Sequence, residues 1–198
     1  MTSVTIGTLK LFGGHPALDF TNTVNSRGAV YGPDVLQTYG DLLDWGVRLG
    51  LLNLTEAADL RDVPPERGAI ALRRAITLRE ALYRTFVRRG SPDQADLDLL
   101  THEVAAAQTT RTLHADGGHY AWHWPTGNPD TPSYRLAISA ADLLTSPAIE
   151  RARVCPGDNC AWLFLDTSRA GRRVWCSEQT CGTRNRVRRW REQRPALG

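Results

Sequence analysis

Apolar positions recur at helical spacing through the first two thirds of the chain, broken where Pro and Gly cluster. Ala17–Val24 is a short apolar-polar segment. Asp34 is placed to cap a helix over Val35–Leu49, with Leu36, Tyr39, Leu43 and Val47 on one face. Thr55 opens a short helix to about Arg61, and Pro64-Pro65 interrupts it, because proline lacks the amide hydrogen a helix interior needs. The longest helix is expected over Pro65–Arg89. Ile70, Leu72, Ile76, Leu78, Leu82, Tyr83 and Phe86 supply its core side, and Gly90 ends it. Ser91-Pro92 starts another helix that turns Leu97, Leu100, Val104 and Ala107 inward.

The period then changes. Thr110–His114 and Tyr120–Trp124 flank Ala115-Asp116-Gly117-Gly118, the signature of a tight hairpin turn. Gly127–Pro132 reads as a loop and Tyr134–Leu144 as a helix. A boundary near 146–152 divides the chain into a mainly helical part, 1–150, and a small module, 151–198. In the module, Trp162-Leu163-Phe164-Leu165 reads as a strand, Asp166–Gly171 as a turn and Arg173–Trp175 as the returning strand. Ser177 caps a helix from about Glu178, which puts Cys181 in its first turn.

The module holds all four cysteines, as Cys155-x4-Cys160, 15 residues, then Cys176-x4-Cys181. Two close pairs on a short arm suit a tetrahedral thiolate cage for one structural Zn2+. Disulfide pairing is the other reading of the same spacing. No stretch approaches the ~20 apolar residues of a membrane helix, and Met1–Phe12 lacks the pattern of a secretory leader. The expected compartment is the cytoplasm, where clustered cysteines bind metal more often than they oxidise. Knuckle, hairpin, then a helix carrying the last ligand is the order of a treble-clef-like finger. The fold class expected is therefore α+β.

Charge sharpens this. The net charge of +3 conceals a tail, 151–198, at +7 and a larger part at −4. Four thiolates with one zinc leave the tail near +5. The chain has one lysine, Lys10, and 23 arginines, so arginine abundance alone says little, whereas its concentration in the tail is informative. On the last helix, at about 100° per residue, Thr183, Val187 and Trp190 share one side, expected to pack on the hairpin. Arg184, Arg188 and Arg191 lie on one flank, with Arg186 and Arg189 on the other. With Arg169, Arg172 and Arg173 from the hairpin they form a candidate phosphate-contacting surface for double-stranded DNA. A solvated basic helix end is the simpler reading.

In the larger part, Gly13-Gly14-His15-Pro16-Ala17-Leu18-Asp19-Phe20-Thr21-Asn22-Thr23 brings His15, Asp19 and Asn22 together. They form either a small-molecule site or a buried polar network. Trp122 and Trp124, beside Arg111 or Arg135, either line a pocket for an anionic or flat ligand or serve as core. The five histidines show no metal-ligand spacing. No phosphate-binding glycine loop or nucleophile motif appears, and a four-thiolate zinc has no open position, so no catalytic residue is expected.

Two segments resemble known families. Cys155…Cys160-Ala-Trp-Leu-Phe-Leu-Asp-x-Ser-Arg…Arg-Arg-x-Trp-Cys-Ser…Cys-Gly-Thr-Arg resembles the CGNR zinc finger. Gly-Gly-His-Pro-Ala-Leu-Asp-Phe-Thr-Asn-Thr resembles its companion ABATE domain, a stress-induced transcription regulator. The resemblance implies zinc binding and a cytoplasmic bacterial DNA-binding regulator. Its helical part would sense a ligand or form a homodimer. The alternatives from other classes are a protein-docking adaptor and a small-molecule-binding module with the finger as a structural appendage. One departure stands out: Cys-Gly-Asn-Arg reads Cys181-Gly182-Thr183-Arg184 here, which removes an amide at Thr183.

Overall fold

The computed structural model describes residues 4–193. The outermost three and five positions of the expected parts 1–150 and 151–198 lie outside the described residues. The architecture is α+β: a mainly helical body, one exposed hairpin, and a C-terminal four-cysteine finger.

Helix α1 (Pro16–Thr21) forms the centre. Pro16 presets the first helical φ, and His15 Nδ1 accepts from the Ala17 amide at 3.3 Å. Ala17, Leu18 and Phe20 are fully buried, and α1 packs on the helices Pro65–Val87 and Thr131–Leu144 and on the strand Leu163–Leu165. Helix α2 (Tyr39–Arg48) begins four residues later than the sequence pattern predicts. Asp34 accepts from the Leu36 amide at 2.9 Å while its two carboxylate oxygens take the Arg79 guanidinium at 2.8 and 2.6 Å, but no helix continues from that turn. Thr38 and Asp41 form the reciprocal capping box instead. Helix α3 (Leu54–Arg61) starts on a second such box, Asn53 with Glu56.

Helix α4 (Pro65–Val87) spans the body. Its inner face carries Ala71, Ala75, Leu78, Leu82 and Phe86, whereas Ile70, expected inside, is exposed. Arg79 is 1% exposed in the middle of that helix. It is held by Asp34, by the Thr23 hydroxyl at 3.0 Å and by Glu80 at 2.9 Å, which offsets the cost of burying a charge. Helix α5 (Gln94–Thr110) is capped by Asp93 and lies against α4 and α6 (Thr131–Leu144).

Strands β1 (Thr112–Asp116) and β2 (His119–His123) pair antiparallel, Leu113 opposite Trp122 and Ala115 opposite Tyr120. Gly117 and Gly118 supply the two positive φ angles of the turn, +53° and +92°. The hairpin projects from the body: Leu113, Tyr120 and Trp122 are at least half exposed. Trp122 is therefore not core.

A short 3-10 turn (Pro147–Arg151) leads into β3 (Ala152–Val154), which pairs with β4 (Leu163–Leu165). This corrects the expected pairing of 162–165 with 173–175. The other edge of β4 is already occupied by the N-terminal motif. Leu163 exchanges two hydrogen bonds with the Asn22 side chain, at 2.8 and 2.9 Å, and the Leu165 amide donates to Gly13 carbonyl at 2.7 Å. No ladder position remains for 173–175 on that edge. One continuous apolar cluster runs from Phe20 and Leu78 through Leu163 and Phe164 to Cys155, Cys176 and Cys181.

Candidate metal centre and its arginine face

The hairpin loop between β3 and β4 is a knuckle. The Cys155 amide donates to Trp162 carbonyl at 2.8 Å, and the Cys160 amide to Gly157 carbonyl at 2.9 Å. Asn159 and Ala161 take left-handed φ angles of 56° and 52°, which turn the chain back after the second thiol. A Cβ at Gly157 would lie 3.0 Å from the Cys181 sulfur, so the position accepts only glycine without displacement. A one-turn π-helix (Glu178–Gly182) runs into α7 (Thr183–Glu192). Ser177 Oγ caps that turn from the Thr180 amide at 3.3 Å and brings Cys181 to the cluster, as the sequence predicts.

Sγ atoms of Cys155, Cys160, Cys176 and Cys181 all lie within 4.8 Å of one another. Cys176 Sγ is 3.6 Å from both Cys160 Sγ and Cys181 Sγ. Zn–S bonds of about 2.3 Å at tetrahedral angles need S···S edges of about 3.8 Å. The Cys176 amide also points at Cys155 Sγ, at 3.4 Å. Thiols this close cannot all ionise by themselves. Hydrogen bonds from the Cys160 and Cys176 thiols hold Cys155 well below the ordinary thiol range. Contact with Cys155 pushes Cys160 up to about 12 and raises Cys176 as well. A dication removes this conflict by binding all four thiolates. The cysteines are free of disulfides, and the site fits one structural Zn2+.

The predicted arginines divide. Arg173 is an internal brace. Its guanidinium donates to Trp175, Leu165 and Phe12 carbonyls at 3.0, 3.3 and 2.9 Å and to Cys176 carbonyl, and lies 4.6 Å from the Phe164 ring centre. With its donors engaged on the main chain it is not free for a phosphate, which corrects that expectation. Arg186 pairs with Glu178, and Arg188 with Asp158 at 2.7 Å, both on the exposed surface. Among the described residues, Arg169, Arg172, Arg184, Arg189 and Arg191 are exposed with no ion-pair partner.

Helix α7 is turned opposite to expectation. Its one buried residue is Asn185, on the side that carries Cys181. Val187 and Trp190, expected to pack on the hairpin, are 42% and 53% exposed. Thr183, standing where the family signature has Asn, donates to Glu178 carbonyl at 3.2 Å and accepts from Arg186 at 3.1 Å.

The N-terminal motif forms a polar network, and the partner it holds is the finger. Asp19 accepts from the Gly13 amide at 2.7 Å. Burial pushes its carboxyl up to about 6, against the opposing pull of the Gly13 and Gly14 amides and the Arg173 and Arg48 charges. Trp162 Nε1 donates to Val24 carbonyl at 2.9 Å, and the Arg27 amide to Cys160 carbonyl at 2.9 Å. Sequence reasoning missed the ionic chain behind this contact. Arg27 forks onto Glu80 at 2.7 and 2.9 Å beneath the Tyr83 ring, and Glu80 continues to Arg79 and Asp34. The one available signal was a pair of charges, Arg79-Glu80, inside an otherwise apolar helical face.

His15, Arg111, Trp124 and Arg135 line a cleft of about 370 Å³, and Trp122, Trp124 and Arg135 line a neighbouring one of about 430 Å³. Arg135 is held by Glu56 and its charge is offset there. Arg111 stacks 4.1 Å over the Trp122 ring. Asp19 and Asn22 are not in either cleft.

Two family models match in chain order. Residues 14–147 match ABATE, described as "Putative stress-induced transcription regulator", and residues 151–194 match the CGNR zinc finger. No curated protein matches the chain. Neither family is an enzyme family by description. With the ABATE match over most of its length and the four cysteines gathered as the finger requires, the chain belongs to the ABATE family and carries a CGNR zinc finger.

Proposed function

We propose that the protein is a zinc-dependent DNA-binding transcription regulator whose finger contacts the phosphate backbone. The observation that carries this reading is the set of exposed arginines without acidic partners among the described residues, three of them on α7, the helix that follows the last metal ligand. Uncompensated cations on a rigid element attract a polyanion, and each phosphate they neutralise releases a counterion. The pairs at Arg186 and Arg188 are exposed and are worth about 0–1 kcal/mol each, so phosphates can replace their acids. Among the described residues no helix is long and apolar enough to cross a membrane. The cytoplasm is the compartment that a DNA-binding role requires. The two clefts around Trp124 and Arg135 are the candidate seat of a small effector. A homodimer would double the contact area of a single finger, since one module buries only ~600–1,000 Å².

The test is a salt titration of binding to duplex DNA, wild type beside Arg186→Ala/Arg189→Ala. Log affinity is expected to fall steeply with log salt, with a slope about two units shallower in the double variant. No binding at low salt would sink the regulator reading. One observation favours a second reading, an adaptor that docks an acidic protein: Val187 and Trp190 form an exposed apolar seam between the arginine flanks. Binding that ignores DNA and is lost in Val187→Asp would select it.

A further inference from the structure

A third cleft, of about 430 Å³, lies between the N-terminal segment and the finger. Lys10, Phe12 and Asn25 line it from one side, and Trp162, Thr180 and Arg184 from the other. The Lys10 ammonium and the Arg184 guanidinium, both exposed, have no ion pair or hydrogen bond among the described residues. The Asn25 carboxamide and the Thr180 hydroxyl also have no partner there. The one carboxylate on the cleft wall, Asp158, is paired with Arg188 at 2.7 Å. Two uncompensated cations from segments 174 positions apart thus share one concavity with further hydrogen-bonding groups.

We propose that this cleft binds a phosphate group, with Lys10 and Arg184 as its two cations. Cations gathered in a concave, partly apolar site reinforce each other's field, which surface arginines spread over a helix do not. Arginine offers a planar fork to two phosphate oxygens and lysine a point charge to a third, while the amide and hydroxyl can meet the remaining lone pairs. The Phe12 and Trp162 rings, 6.3 Å apart between centroids, form an apolar wall beside them. The phosphate has two sources, the backbone of duplex DNA or a free phosphate. The first rests on the regulator reading and would bring the N-terminal segment into the DNA interface. The second does not rest on it. The competing role for these cations is to offset the net −2 charge of a zinc-loaded four-thiolate centre, since three of its four ligands, Cys160, Cys176 and Cys181, line the same cleft.

The experiment uses the full-length zinc-loaded protein with Lys10→Ala, Arg184→Ala and Arg189→Ala, metal content measured in each. Lys10 has no partner to lose among the described residues, so its removal is expected to leave the fold intact. DNA affinity is measured against salt, and inorganic phosphate is titrated while the Asn25 and Thr180 amides are followed by NMR. A slope about one unit shallower in Lys10→Ala identifies a DNA backbone phosphate in the cleft. An unchanged slope, with phosphate shifting those amides in wild type but not in Lys10→Ala, identifies a free phosphate. An unchanged slope with no shift overturns the proposal, and weaker zinc binding in the same variants would assign the cations to the thiolates. Should wild type bind no DNA while Arg189→Ala is equally silent, the regulator reading falls, and the phosphate titration alone decides the cleft.

Discussion

The Asn22 carboxamide and the Leu163 backbone exchange both of their hydrogen bonds, at 2.8 and 2.9 Å, across 141 positions of sequence. An asparagine side chain there takes the place of a neighbouring strand. It closes the open edge of β4 and fastens the finger to the helical body, with both groups fully desolvated. Asn22→Ala leaves a buried amide and a buried carbonyl unpaired, which costs about 2–4 kcal/mol. Thermal unfolding of the variant should show that loss, together with faster zinc release to a chelator. Unchanged zinc release would mean that the clamp does not reach the metal.

Asp19 sits behind the same contact with its carboxyl raised to about 6 by burial. A carboxyl that is harder to ionise folded than unfolded favours folding while neutral. Its contribution is greatest below the ordinary carboxyl range and is lost as pH rises through 6. Between pH 5 and 7.5 the wild type should lose about 1 kcal/mol relative to Asp19→Asn, which keeps an acceptor for Gly13. Chemical denaturation of both proteins across that range checks it, and a pH-independent difference would place the carboxyl outside the window.

Arg173 and Arg189 should separate structure from recognition. Arg173→Ala removes four main-chain hydrogen bonds inside the molecule and is expected to cost about 2–4 kcal/mol with no change in the salt slope of DNA binding. Arg173→Lys should restore little of that loss, because an ammonium cannot fork to several carbonyls. Arg189→Ala, on the surface, should change stability by less than about 0.5 kcal/mol and flatten the slope by about one unit. Reversed effects would mean that the two arginines have exchanged roles.

Metal loss should be felt by the whole chain. Cys155, Cys176 and Cys181 belong to the same apolar cluster as Phe20 and Leu78, so the finger is no independent appendage. Cys176→Ser, or chelation of the wild type, is expected to lower a single cooperative transition. A loss of about 3 kcal/mol corresponds to roughly 6–12 °C in a domain of this size. Far-ultraviolet dichroism and tryptophan emission should report the same midpoint. A helical transition left unmoved would show that the body folds without the finger.

The sequence by itself determined what depends on neighbours along the chain. Helix α4 follows from its apolar period and its proline start, and α6 from its period alone, since it begins at Thr131, three residues before the expected Tyr134, with Pro132 in its first turn and not in a loop. The hairpin turn follows from two adjacent glycines, which adopt both positive φ angles without steric cost. The metal ligands follow from the spacing of Cys155, Cys160, Cys176 and Cys181, because a short knuckle brings each pair together whatever surrounds it. Only the tertiary structure decided which groups meet across long separations. Asp34 turns the chain at Leu36 and also holds Arg79, 45 positions away, and the helix starts at the Thr38–Asp41 box instead. Arg173 faces inward because main-chain carbonyls from three segments converge on it. Val187 and Trp190 face outward because the buried side of α7 is the one that carries Asn185. Such choices are competitions for one partner, and the period of a segment records what the segment offers, while the partner that takes it is set by the rest of the fold.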